Sequence, residues 1–247
     1  MLSERHNRIL RMMDGDNQIS VKDLAASLNV SSVTIRQDLN FLESEGLLKR
    51  VHGGAIIGEA DDISTRMSMN YENKLRIARK IADMIKDGET ILIESGSTNA
   101  LLARELVRKD VTIITTNVFI ARQFRKKGKA RVVLMGGLYQ HESESLVGKI
   151  TKLCIDNVNF DKAFIGIDGY TKKTGFTLRD LLRAEISAHI IHRSSAVYIV
   201  TDSSKFGRAE LTNICLACDI HHIVTDTGLD ESYVREFRDA GIDLVLA

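Results

Sequence analysis

Asn29-Val30-Ser31-Ser32-Val33-Thr34-Ile35-Arg36-Gln37-Asp38-Leu39 opens with a three-residue joint between two apolar-periodic segments. Upstream, Val21, Leu24, Ala25 and Leu28 recur at helical spacing; downstream, Ile35, Leu39 and Leu42 do the same. A joint that short is the turn of a helix-turn-helix. Ser31 or Ser32 stands where the second helix needs its N-cap. An earlier helix carries Ile9, Leu10 and Met13, and Leu47 to Ile57 reads as two short strands about a Gly-Gly turn, a β-wing. With Ile35, Leu39 and Leu42 inward, a rotation of about 100° per residue turns Val33, Arg36, Gln37, Asn40 and Ser44 outward. Such a face suits the major groove, Arg for guanine and Gln or Asn for adenine. Ser31, Ser32 and Thr34 suit phosphates at the helix start, and Lys49, Arg50 and His52 of the wing suit the adjacent backbone or minor groove. Charge does not decide the matter: residues 1–57 hold seven Lys+Arg and seven Asp+Glu, so a plain three-helix unit with a solvated face stays open on these residues alone.

The polar run Gly58-Glu59-Ala60-Asp61-Asp62 follows. It divides the chain into an N-terminal unit (1–57), a linker (58–71) and a second domain (72–247). In that domain short apolar runs alternate with helical stretches such as Ala100 to Val107 and Leu181 to Ile191. The runs begin at Ile91, Val111, Val132, Ala163, Val197, Ile223 and Leu244. Continuous β-branched runs alternating with helices predict an α/β domain with a Rossmann-like, mostly parallel sheet covered on both faces. The chain has no Pro, so helix stops fall to Gly and Asn, with Gly88, Gly128 and Gly241 as candidates.

The 247 residues are 44% hydrophobic and 27% charged, with a net charge of +1, which excludes a largely disordered chain. No apolar run approaches about 18 residues, so no membrane partner is expected. The N-terminus has no signal-peptide core, and three Cys fit a reducing compartment, so a cytoplasmic location is expected.

Five loops fall at the carboxyl ends of predicted strands, where open α/β sheets bind ligands. Glu94-Ser95-Gly96-Ser97-Thr98 opens a helix, so hydroxyls and free N–H groups can cradle an anion. Thr115-Thr116-Asn117, Gly136-Gly137, Asp168-Gly169 and Asp202 to Gly207, which contains Lys205, join it. Each alone is ordinary turn chemistry; five at one rim point to a site for a small polar anion. Cys215-Leu216-Ala217-Cys218 lacks a second pair at metal spacing, and buried small hydrophobes explain these cysteines better. His189 and His192 lack a third ligand, and Arg122 to Lys129 reads as the solvated end of a helix. No metal and no cofactor is expected.

Thr34-Ile35-Arg36-Gln37-Asp38-Leu39, Leu42-Glu43, Gly46-Leu47-Leu48 and Arg50-Val51-His52-Gly53-Gly54-Ala55 together resemble the winged helix-turn-helix signature of the DeoR family of transcriptional regulators. Asp161 to Gly169, Gly175-Phe176-Thr177, Glu185 and Asp202 to Gly207 resemble its sensor domain, whose fold is related to ribose-phosphate isomerases and CoA transferases. The resemblance runs through nearly the whole chain. It departs at Gln37, where a second basic residue is common, and at Glu94, Ser95, Asp180 and Ser187. It implies a repressor of a carbohydrate-metabolism operon that binds double-stranded operator DNA and responds to a phosphorylated sugar. One winged helix covers a half-site, so a homo-oligomer, dimer or tetramer, is expected. The expected effector residues are Glu94, Ser95, Gly96, Ser97, Thr98, Thr116, Asn117, Gly136, Gly137, Asp168, Gly169, Glu185 and Lys205. The alternative is a sugar-phosphate isomerase-like enzyme with an appended helical domain, using Asp168 or Glu185 as base. Thr174 to Leu178 lacks the Gly run such an isomerase carries, so no catalytic residue is expected.

Overall fold

The computed structural model describes residues 2–13, 18–56, 63–125, 128–194 and 196–247. Its contacts divide the chain into two compact units, Met1–Glu72 and Asn73–Ala247.

In the first unit the elements are α1 (Glu4–Met13), β1 (Gln18–Ser20), α2 (Val21–Leu28), α3 (Ser32–Ser44), β2 (Lys49–Val51) and β3 (Gly54–Ile56). Ser20 caps α2 by accepting from the Asp23 N–H, and Asn29 closes it in the left-handed conformation at φ 53°. Val30 and Ser31 complete the joint, and the Ser31 hydroxyl accepts from the Thr34 N–H to start α3. Ile9, Leu10, Met13, Leu24, Ile35, Leu39, Leu42 and Leu47 fill the core. The wing carries a third strand beyond the two expected: β1 pairs with β3, which pairs with β2.

Ile57 and residues 58–62 of the expected linker lie outside the described residues, as do Lys126 and Lys127 of the basic stretch. The rest of the expected linker is not an extended connection. Ile63–Ser68 forms α4, because Ile63 and Met67, one turn apart, both bury. Tyr71–Met84 forms α5, which runs through the expected boundary at residue 72.

The second unit is built on β4 (Thr90–Ile93), α6 (Ser97–Leu106), β5 (Thr112–Thr115), α7 (Val118–Gln123), β6 (Arg131–Leu134), β7 (Leu138–Gln140), β8 (Ser145–Val147), α8 (Lys149–Asp156) and β9 (Lys162–Gly166). It continues with β10 (Gly169–Thr171), β11 (Gly175–Leu178), α9 (Leu181–Arg193), β12 (Val197–Val200), β13 (Thr212–Cys215), β14 (His222–Thr225), α10 (Glu231–Asp239) and β15 (Asp243–Leu246). The seven apolar runs become one seven-stranded sheet in the order β15-β14-β12-β9-β4-β5-β6, with every pair parallel. Helices cover both faces, so Leu92, Ile114, Phe164, Ile165, Ile199 and Ile223 are all buried. Two small antiparallel sheets, β10-β11-β13 and β7-β8, are additions to the expected architecture. The first rests on an aromatic cluster of Tyr170, Phe176, Phe206, Tyr233 and Phe237, with the Tyr170 hydroxyl donating to Glu236 at 2.5 Å.

Parallel strands end on one edge, so the loops after β4, β5, β6, β9 and β12 share a rim. The loop after β4 is pressed against the end of β9. A Cβ on Gly166 would stand 2.8 Å from the Ser95 carbonyl oxygen, and one on Gly96 would stand 3.4 Å from the Gly166 Cα. Gly166→Ala is therefore expected to cost about 1–3 kcal/mol through displaced backbone. Thermal unfolding indistinguishable from wild type would show that strand and loop are not in this contact.

Candidate functional site

In the N-terminal unit, α3 buries Ile35, Asp38, Leu39 and Leu42 and exposes Ser31, Ser32, Val33, Arg36, Gln37 and Asn40, with Thr34 half-buried. Lys49 and His52 are exposed on the wing and Arg50 is half-buried. The Ser31 hydroxyl is occupied by its cap on the Thr34 N–H and by the Thr34 hydroxyl at 2.9 Å. The Arg50 guanidinium donates to the Asn40 side-chain oxygen, so helix and wing hold each other. The Glu43 carboxylate accepts from the Arg50 N–H at 2.8 Å, a second tie between α3 and the wing.

Asp38 has a role that helical spacing did not reveal. Its carboxylate is buried on the inner side of α3 and accepts from Arg5 Nε at 2.6 Å and from the second guanidinium nitrogen at 3.0 Å. His6 Nε2 lies 3.0 Å from it, and the His6 ring stacks on Phe41 at 4.7 Å. Burial pushes the Asp38 carboxyl up, but the hydrogen bonds from Arg5 and His6 and the Arg5 charge outweigh it and hold it below its usual range. Two residues of α1 thus fix the pitch of the exposed helix from behind.

On the second unit, the rim is organised by a residue that sequence reasoning missed. Arg183, in the first turn of α9, is buried, with Nε 3.6 Å from a Glu94 carboxylate oxygen and a terminal nitrogen 4.0 Å from Asp168. Burial alone would lower its pKa; Glu94, then Asp168 and Asp180, raise it, so the guanidinium stays charged. Glu94 and Asp168 are likewise buried, so their charge is directed inward at Arg183. Asp168 also accepts from the Arg179 N–H at 3.3 Å. A carboxylate held this way is poorly placed to act as a general base.

The neighbouring loops are tied to this centre. Thr116 donates to the Glu94 carbonyl at 3.0 Å. Asn117 caps α7 and donates to Ser95 Oγ, Ser143 O and Ser145 Oγ. Gly137 and Gly169 are there for close packing, since a Cβ would meet Thr151 Oγ1 at 2.0 Å or the Arg208 carbonyl at 2.6 Å. Gly136 is exposed and accepts from Thr151. Gly96, at φ 111°, is the N-cap of α6 and, like Gly148 at the start of α8, brings no capping side chain, whereas α2, α3, α7, α9 and α10 are side-chain capped. Thr98 is buried in the first turn and Ser97 is half-exposed. Two strands along from β4, Asp202 faces the buried Lys74 at 3.6 Å. Burial pushes Asp202 up, but Lys74, Ser204 and Lys205 hold it below its usual range. Lys205 is half-buried in the same turn.

Glu185 is a correction. It lies on the exposed side of α9, paired with Lys152 at 2.8 Å, and does not join Glu94 and Asp168. Two residues along a helix turn the side chain by about 200° from Arg183. Cys218 is also exposed, contrary to the expected burial, while burial pushes the Cys215 thiol up to about 12. His189 bonds Asp156 at 2.8 Å, and His192 is exposed. Among the described residues no three His, Cys, Asp or Glu side chains are grouped for a metal, and no helix is long and apolar enough to cross a membrane.

Two family models match: a DeoR-like helix-turn-helix domain over residues 5–60 and a DeoR C terminal sensor domain over residues 69–227. The chain is 31% identical over 249 residues to the HTH-type transcriptional regulator GolR of Listeria innocua serovar 6a, covering 99% of this chain and 98% of that protein. It is 30% identical over 249 residues to the Glycerol-3-phosphate regulon repressor of Escherichia coli strain K12, with the same coverage of 99% and 98%. Among solved structures, ribose 5-phosphate isomerase A of Methanocaldococcus jannaschii is similar at TM-score 0.40 and 21% identity, over 56% of this chain and 55% of that one.

Asp38 generates a pH-dependent expectation. Its folded pKa is depressed, so its contribution is complete above the unfolded value of about 3.9 and is lost as pH falls through the folded one. Asp38→Asn should flatten the acid side of the stability profile and lower stability at neutral pH by about 1–3 kcal/mol. An unchanged acid profile, followed by circular dichroism, would show that the Arg5–Asp38–His6 contact contributes nothing.

Proposed function

The chain belongs to the DeoR family of transcriptional regulators, and from that premise we propose a repressor of a carbohydrate-metabolism operon whose operator affinity is set by a phosphorylated sugar. It is a regulator rather than an enzyme, as its full-length relatives are named. In this reading α3 enters the major groove, with Arg36, Gln37 and Asn40 at base edges, supported by Val33 and the Ser31-Ser32-Val33-Thr34 helix start. Lys49, Arg50 and His52 meet the flanking backbone or minor groove.

The observation that carries the effector assignment is the uncapped start of α6 at Gly96, on the rim that holds buried Arg183 and that the Lys205 turn, two strands along, shares. A helix start without its own cap leaves oriented N–H donors for an anion. Ser97, Thr98 and Lys205 are the groups proposed to meet the phosphate. Glu94, Ser95, Thr116, Asn117 and Asp168, through the bonds just described, keep the loops in place, and Gly136, Gly137 and Gly169 let them pack. A relative named for glycerol-3-phosphate supports a phosphorylated polyol or sugar as the class. The effector controls DNA affinity only by binding two arrangements of the readers unequally. At least two chains are needed to cover both half-sites.

A mobility shift with the chain's own upstream DNA, titrated with a panel of sugar phosphates, tests the whole reading. A folded protein that fails to shift this DNA at low salt would overturn it. Arg36→Ala should weaken operator binding by about 1–3 kcal/mol without unfolding the chain; wild-type affinity would remove Arg36 from the interface. Lys205→Ala and Ser97→Ala should keep DNA binding and blunt the response to the sugar phosphate. A full response in both variants would place the effector elsewhere.

A further inference from the structure

One end of the seven-stranded sheet is open and apolar. β6 pairs with β5 on one side and with no described strand on the other, and its Val133 and Leu134 are 43% and 45% exposed. Just beyond, Gly136 lies against α8, where a Cβ would stand 3.8 Å from both Ile150 and Cys154. α8 buries Thr151 and Ile155 and turns Ile150 and Leu153 outward, 61% and 51% exposed. β7 adds Leu138, 61% exposed, and Tyr139. At the opposite end of the sheet β15 starts with Asp243, bound to His222 at 3.1 Å, and neither β14 nor β15 exposes a large apolar side chain. The two ends of one sheet have thus been finished differently.

These six side chains offer on the order of 500 Å² of surface, toward the upper end of the roughly 300–600 Å² that the largest apolar patch of a monomer covers, a patch that is often functional. That is already a large part of the roughly 800 Å² each partner contributes to a stable interface, and the polar rim of such a contact supplies the remainder. We propose that a second copy of this chain docks on the face formed by β6, β7 and α8, the two copies related by a two-fold axis so that the same face meets itself. A two-fold contact also sets the outer N–H and C=O groups of β6 opposite those of its antiparallel twin, which is the complement an open edge strand lacks. The choice of a second copy over an unrelated protein rests on the DNA-reading proposal, because a two-fold pair supplies the two readers that a two-part operator needs.

Sedimentation of the full chain without DNA tests the interface separately from its function. Wild type should sediment as a dimer, and Ile150→Glu with Leu153→Glu should halve the sedimenting mass. Both side chains are already exposed, so the far-UV spectrum should not change. Leu211→Glu, an equally apolar and exposed position outside β6, β7 and α8, should leave the dimer intact. Hydrogen exchange on wild type provides a check without substitutions: amides of β6 and α8 should exchange faster as the protein is diluted through its dissociation range. A monomeric wild type, a dimer that survives both acidic substitutions, or exchange in β6 and α8 that ignores dilution would overturn the proposal. If the doubly substituted chain stays dimeric and still shifts operator DNA, the interface assignment fails while the DNA reading stands.

Discussion

A guanidinium with almost no solvent access, facing two carboxylates that are equally buried, is the constraint on which the second unit depends. Arg183 comes from α9, Glu94 from the loop after β4, and Asp168 from the end of β9. Taking any one away would leave charge buried without compensation, which is among the most destabilising changes a core can suffer. The three residues therefore fix where a helix start and two strand ends stand relative to one another. Around that centre the hydroxyl and amide groups of Ser95, Thr116 and Asn117 bind loop to loop. A rim held this firmly can present the start of α6 and Lys205 in a defined arrangement.

The reader in the first unit follows a similar plan. Its outward groups are ordinary surface side chains, and their geometry is set from the inner side, where Asp38 is gripped by Arg5 and His6. Both units thus place a buried charge one layer behind the surface assigned to recognition. In each, the buried charged groups that hold the geometry differ from the residues proposed to touch the ligand.

The seven parallel strands were legible because each is a continuous apolar run, a pattern that survives without knowledge of neighbours; the five inner strands bury theirs, while the edge strands β6 and β15 do not. The helix-turn-helix was legible for a related reason: three residues between two periodic segments leave few alternatives. The strands β1, β7, β8, β10, β11 and β13 were not, since three or four residues such as Gly169–Thr171 or Leu138–Gln140 are too few to show a period. Arg183 looked like any charged residue in a helix, because its partners come from loops far along the chain. Glu185 entered the site through the resemblance, and helix rotation turns it to the exposed side of α9. The close packing at Gly137 and Gly169 was not legible either, because the groups a Cβ would meet come from Thr151 and Arg208. What sequence spacing conveys is periodicity; what it does not convey is which distant group neutralises a buried charge.

Hydrogen exchange on the intact protein, with and without a saturating phosphorylated sugar, tests the central claim most directly. Slower exchange is expected only at the start of α6 around residues 96–99 and at the turn of residues 203–206, with the ends of β4 and β9 already protected in both states. Protection that appears only outside this rim, for a compound that demonstrably releases the operator, would contradict it.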